Sequence, residues 1–143
     1  MNEAPKRPPT ASELLGDRTV VQALDQAWTD SRPEDSQQRH EEGGWIYVNI
    51  STGEITTRRA SPGMQTAIDL NDPPQLDGCV VVGKFHTHPN PTSQGWNPRP
   101  SPADTSVDER HGVPDLIRAD DGIYLSGPES RRGGLAGDLG YPA

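Results

Sequence analysis

The apolar residues of this chain come in short, separated runs, none longer than the four residues of Cys79 to Val82. Continued through Gly83 and Lys84 to Phe85, that run reads as the central strand of a sheet. No run approaches the roughly 20 residues that cross a bilayer. Leu, Ile, Val and Phe number 24 of the 143 residues, whereas Gly and Pro number 30. With a formal net charge of −8, such a chain offsets its conformational entropy only by gathering its apolar residues into a few segments. The length predicts one domain and excludes an enzyme with a separate cofactor domain.

The 21 acidic against 13 basic residues, with no Lys/Arg cluster, argue against a nucleic-acid or anionic-membrane surface. Met1 to Thr10 is polar and Pro-rich, lacking the charged start and apolar stretch of a signal peptide, so a cytoplasmic protein is expected, with signal-less export the other route. Cys79 is the only cysteine, which excludes an internal disulfide, a Cys-rich zinc finger and an iron–sulfur cluster.

Three regions are predicted: a disordered leader over 1–11, a domain over 12–132 and a Gly-rich tail over 133–143. Asp17 caps a helix whose apolar residues Val20, Val21, Leu24, Ala27 and Trp28 recur at helical spacing until Ser31-Arg32-Pro33 stops it. Gly44 to Ile50 and Glu54 to Arg59 flank a Ser51-Thr52-Gly53 turn and predict a hairpin. Trp45 and Tyr47 alternate on its first strand as core residues, with Trp28 expected to pack against them. A polar connection then leads to the Cys79–Phe85 strand. Residues 90–100 read as a rigid Pro-rich loop, 101–110 as a helix, Val113 to Ile117 as a strand, and Ile123 to Leu125 as its return after Asp120-Asp121-Gly122.

Alternate side chains on a strand share a face, so His86 and His88 at the end of the central run can offer two imidazoles to one metal ion while Thr87 points away. Asp104 is the candidate third ligand. Ser101, Pro102 and Asp104 also have the residue types of a helix start, and a helix beginning opposite the end of a central strand would satisfy both roles. Two imidazoles and one carboxylate with an open fourth position form the ligand set of a catalytic zinc site. His40 reads as a solvated loop histidine, His111 as a helix-end residue facing the dipole, Cys79 as a small buried hydrophobe, and Trp96 as a substrate wall or a loop anchor.

Glu41-x-x-Gly44 ahead of a strand, then His86-x-His88-Pro89, then Ser101-x-x-Asp104 resembles the JAMM motif of the JAB/MPN metallopeptidases, in order and in residue type. Gly112 to Ile117, the Gly122 turn and Gly127-Pro128 also resemble bacterial JAB domains, so the similarity covers roughly 17–130. The stretch 89–103 is longer than the family's usual spacing. The resemblance implies an α/β (α+β) fold with a cytidine-deaminase-like mixed sheet flanked by helices. The deaminases' own Pro-Cys-x-x-Cys ligands are absent.

It also implies a zinc-dependent peptide or isopeptide hydrolase. His86, His88 and Asp104 would hold Zn2+, Glu41 would be the general base toward a metal-activated water, and Ser101 would steady the oxyanion. The substrate would be a protein or peptide, such as a ubiquitin-like tail or a toxin-system partner, with a small amide as a further candidate. The alternative is a non-catalytic JAB-like interaction module, such as a toxin-system accessory or immunity protein.

Overall fold

The structure is a computed structural model that describes residues 7–132. Most of the expected leader and the expected Gly-rich tail lie outside them. The described residues form a mixed α+β unit. Its order is α1 (Ala11–Leu15), α2 (Arg18–Asp30), β1 (Gly43–Asn49), β2 (Ile55–Arg59), β3 (Cys79–Thr87), a short 3-10 turn (Thr92–Gln94), α3 (Pro102–His111), β4 (Asp115–Ala119) and β5 (Gly122–Ser126). The five strands make one sheet in the order β2-β1-β3-β4-β5, in which only β3 and β4 are parallel, with α3 as their crossover.

Helix α2 starts where the capping residue places it: Asp17 Oδ1 accepts from Thr19 N at 2.9 Å and Val20 N at 3.2 Å. It buries Val20, Leu24 and Ala27 against one face of the sheet, where Ile46, Val48, Val82, Phe85 and Leu116 complete the main core. Helix α1 was not foreseen. Thr10 and Glu13 form a reciprocal capping box, and Ala11 and Leu14 are buried. Ala11 N also donates to Glu129 O at 2.7 Å, tying the start of the domain to its end. Residues 10 and 11, expected in the leader, therefore belong to the fold.

The other sheet face carries a smaller core of Trp45, Tyr47, Leu70 and Val81, covered by Ala60, Ile68 and Leu76. The connection 60–78, expected to be merely polar, is thus the cover of this face. Trp45 Nε1 donates to Leu70 O at 3.0 Å, and Tyr47 OH to Pro74 O at 2.6 Å. Trp28 does not join these two aromatics: it sits on α2, on the far side of the sheet, with the Arg118 guanidinium 4.9 Å from its ring centre.

A bulge in β3 decides which way the histidines face. Ile46 pairs with Gly83 and Tyr47 with Val81, leaving Val82 without a partner on β1. Val82 packs in the helix-side core. A Cβ on Gly83 would point the same way, 2.9 Å from Leu14 Cδ1 and 3.3 Å from Ile46 Cδ1. Two consecutive residues therefore face the helices, and from there Phe85 and Thr87 face inward while Lys84, His86 and His88 turn to the opposite face. Uninterrupted alternation from Val80 and Val82 would have driven Lys84 and His86 into the apolar core. No helix among the described residues is long and apolar enough to cross a membrane.

Candidate metal centre

Four side chains from three distant segments of the chain meet at the C-terminal end of β3. The two histidines approach with Nε2 atoms 3.2 Å apart. Asp104, in the first turn of α3, places Oδ2 3.3 Å from His88 Nε2 and Oδ1 3.6 Å from His86 Nε2. Glu41, just ahead of β1, offers its carboxylate to the same place, and Glu41, His86 and His88 each present one atom within 4.8 Å of the others. The Glu41 backbone is held on both sides, donating to Met64 O and accepting from Gly63 N, each at 2.8 Å.

Outer partners fix the rings. His86 Nδ1 lies 3.1 Å from Asp115 Oδ1, and His88 Nδ1 lies 3.1 Å from the Pro98 carbonyl. Both partners can only accept, so each Nδ1 carries hydrogen and Nε2 is the ring atom each histidine turns toward the site. A tetrahedral ion with bonds of about 2.0–2.1 Å spaces its ligand atoms about 3.3 Å apart. The Nε2–Nε2 and Nε2–Oδ2 separations match that edge, so the donor set fits a small divalent ion.

The electrostatics follow from burial among these groups. Burial pushes the Glu41 carboxyl up to about 7 against the pull of the nearby histidines. Burial opposes protonation of His86, but Asp115, Glu41 and Asp104 together outweigh it and hold this pKa at about 9. Burial likewise opposes ionisation of Asp104, yet contacts with His88 and His86 keep its carboxyl well below the usual range.

Ser101 caps α3. Its Oγ accepts from Asp104 N at 3.0 Å, and Asp104 Oδ2 accepts from Ser101 N at 2.9 Å. Glu42 turns to the other side of the sheet, where its carboxylate receives Arg59 Nη2 at 2.6 Å and His40 Nε2 at 2.5 Å. His40, expected to be solvated, is thus half-buried in an ion pair; its Nδ1 donates to Gln38 O, so the ring carries both hydrogens. His111 ends α3 but is buried and pushed down to about 4 by burial and by Lys84. It is neutral, accepting from Lys84 Nζ at 2.8 Å and donating to Asn71 Oδ1 at 2.9 Å, so no cation–dipole contact exists there.

Trp96 stands beside the cluster, lining a cavity of about 240 Å³ with Glu41, His88, Ser101 and Asp104. Its loop is anchored by Asp120 Oδ2, which accepts from Thr92 N at 2.9 Å, while the loop's first residue, Asn90, exchanges amide hydrogen bonds with Gln65. Cys79 is half-buried against the smaller core.

Sequence reasoning missed Asp115, Lys84 and the Pro98 carbonyl. The signal for the first two was an ionisable residue inside or heading an apolar strand, a place where charge must be paired to be tolerated. No family model, no curated protein and no solved structure matches the chain.

Proposed function

We propose that this chain is a zinc-dependent hydrolase of peptide or isopeptide bonds, of the JAMM type, on a JAB/MPN-like sheet. One observation carries the reading. Glu41, His86, His88 and Asp104, which resemble the JAMM pattern in sequence order, converge on one place, Glu41 within 4.8 Å of both histidines and Asp104 at 3.3 and 3.6 Å from them. His86, His88 and Asp104 would hold zinc, leaving Glu41 as the base. Asp104 suits the ligand role because its carboxyl is held ionised by the histidines, whereas Glu41 is raised close to neutral pH. When bound, zinc polarises a carbonyl and acidifies water.

The chain's own groups supply the rest. Glu41, with a carboxyl balanced near pH 7, can take a proton from water and return it to the leaving amine. The Ser101 hydroxyl accepts from Asp104 N yet keeps its own hydrogen, so capping α3 and donating to an oxyanion are compatible. Trp96 and Pro100 of its loop wall one side of the approach.

The test is elemental analysis of chelator-free protein beside His86→Ala, together with hydrolysis of a quenched peptide and of an isopeptide-linked ubiquitin-like tail. About one zinc per chain in the wild type, lost in the variant, with cleavage of either substrate, supports the reading. Equal zinc in both proteins removes the site, and zinc without cleavage of peptide or isopeptide removes the proposed reaction.

A further inference from the structure

Beneath His86 lies a buried set of ionisable groups, Lys84, Asp108, His111 and Asp115, none more than 3% exposed, of which the proposed site uses only Asp115. Lys84 Nζ reaches Asp108 Oδ1 at 2.6 Å and His111 Nδ1 at 2.8 Å. Helix α3 has no apolar face, and the residues it buries are Asp108 and His111. A helix normally docks through an apolar stripe. This one meets the sheet through polar groups.

The contacts from α3 to β3 form two rungs. His86 and His88 meet Asp104 in the first, and Lys84 meets Asp108 and His111 in the second. Between the rungs, β3 advances two residues from Lys84 to His86, about 6.6 Å. In the opposite direction α3 advances four residues from Asp108 to Asp104, about 6.0 Å. The two steps are nearly equal, so seating Lys84 on Asp108 brings Asp104 opposite His86. Sliding α3 by one residue would turn Asp108 about 100° away from Lys84 and move Asp104 off the histidines.

Resting on the metal-centre reading above, we propose that Lys84 is a positioning residue: its ion pair with Asp108 sets the register of α3 on β3 and so presents Asp104 and Ser101 to the site. A lysine within the otherwise uncharged run from Cys79 to Phe85 then has a reason to be there. A buried ion pair adds little net stability over an apolar pair of similar volume, but it fixes where its partner sits.

The experiment compares wild type, Lys84→Met and Lys84→Met/Asp108→Leu. The double variant leaves no unpaired buried carboxylate and so folds even where the single one does not. In metal-free protein the amides of α3 are expected to exchange faster in both variants. In titrations with Co2+, both should bind about 10- to 100-fold more weakly, as is usual when a group supporting a metal ligand is removed. Their visible cobalt absorption should also differ from the wild type, because Asp104 is displaced. Wild-type cobalt affinity and spectrum in the double variant would overturn the proposal whatever the exchange shows. If the wild type takes up no cobalt, it is the metal-centre reading that fails. The role of Lys84 is then decided by exchange alone, unchanged protection of α3 overturning it and faster exchange supporting it.

Discussion

Glu41 and Glu42 are adjacent, yet one faces the histidines and the other pairs with Arg59 and His40 across the sheet. Strand alternation separates them, and that much is legible in sequence, as are the shared face of His86 and His88 and the Ser101–Asp104 cap. The pairing of Asp115 and of the Pro98 carbonyl with the histidines was not legible, because they reach them only after β4 and the Pro-rich loop fold back from distant parts of the chain. The residue-scale expectation is that Glu41→Gln keeps its zinc and loses about 10²- to 10⁴-fold in hydrolysis rate. Glu42→Gln should keep both zinc and rate. Zinc content and turnover measured on the same preparations check this. An active Glu41→Gln protein would move the base elsewhere. For the outer partner, Asp115→Asn should weaken zinc binding about 10- to 100-fold, read by chelator competition.

At the scale of elements, β3 could be read from its apolar run but its bulge could not be placed. Three consecutive valines mask alternation, because either parity leaves apolar residues on both faces. Gly83 was the available sign, since a glycine inside a strand often marks a bulge or a close approach. Here it is both: its missing side chain makes room for Leu14 and Ile46 where two residues in succession face the helices. Gly83→Val should therefore push Leu14 aside and destabilise the protein by about 1–3 kcal/mol, the usual cost of overpacking. Urea unfolding measures it, and a variant as stable as the wild type would show that α1 yields freely. Helix α1 itself escaped notice because it is only five residues long, although Thr10-x-x-Glu13 announces it.

Across the whole molecule, the thin apolar supply is divided between two cores and the site face is filled with charge, so stability should depend on protons and metal together. His86 gives the clearest window. Its folded pKa of about 9 lies above the ordinary 6.5, so in metal-free protein its contribution is complete below about pH 6.5 and lost as pH rises through 9. Other groups act mainly below that range. Glu41 and Asp108, each raised to about 7, lose their contributions as pH rises to that value. His111, lowered to about 4, gains its own between about 4 and 6.5. His40, raised by its contacts with Gln38 and Glu42 against the effect of burial, has the same sign as His86 but survives in the variant below. Metal-free wild type should therefore be less stable at pH 9 than at pH 7, by at most about 1.4 kcal/mol per pH unit for this one proton. The fall should be smaller in His86→Gln. Zinc competes with the same proton, so its stabilisation should run the other way and grow with pH. At 100 times its dissociation constant it adds about 2.7 kcal/mol, or roughly 5–10 °C in melting temperature for a domain of this size. Urea and thermal unfolding at pH 7 and 9, with chelator or with zinc, check both slopes. A metal-free protein equally stable at the two pH values, together with a zinc effect that does not rise with pH, would mean that His86 neither holds a proton in the empty site nor gives it up to the metal.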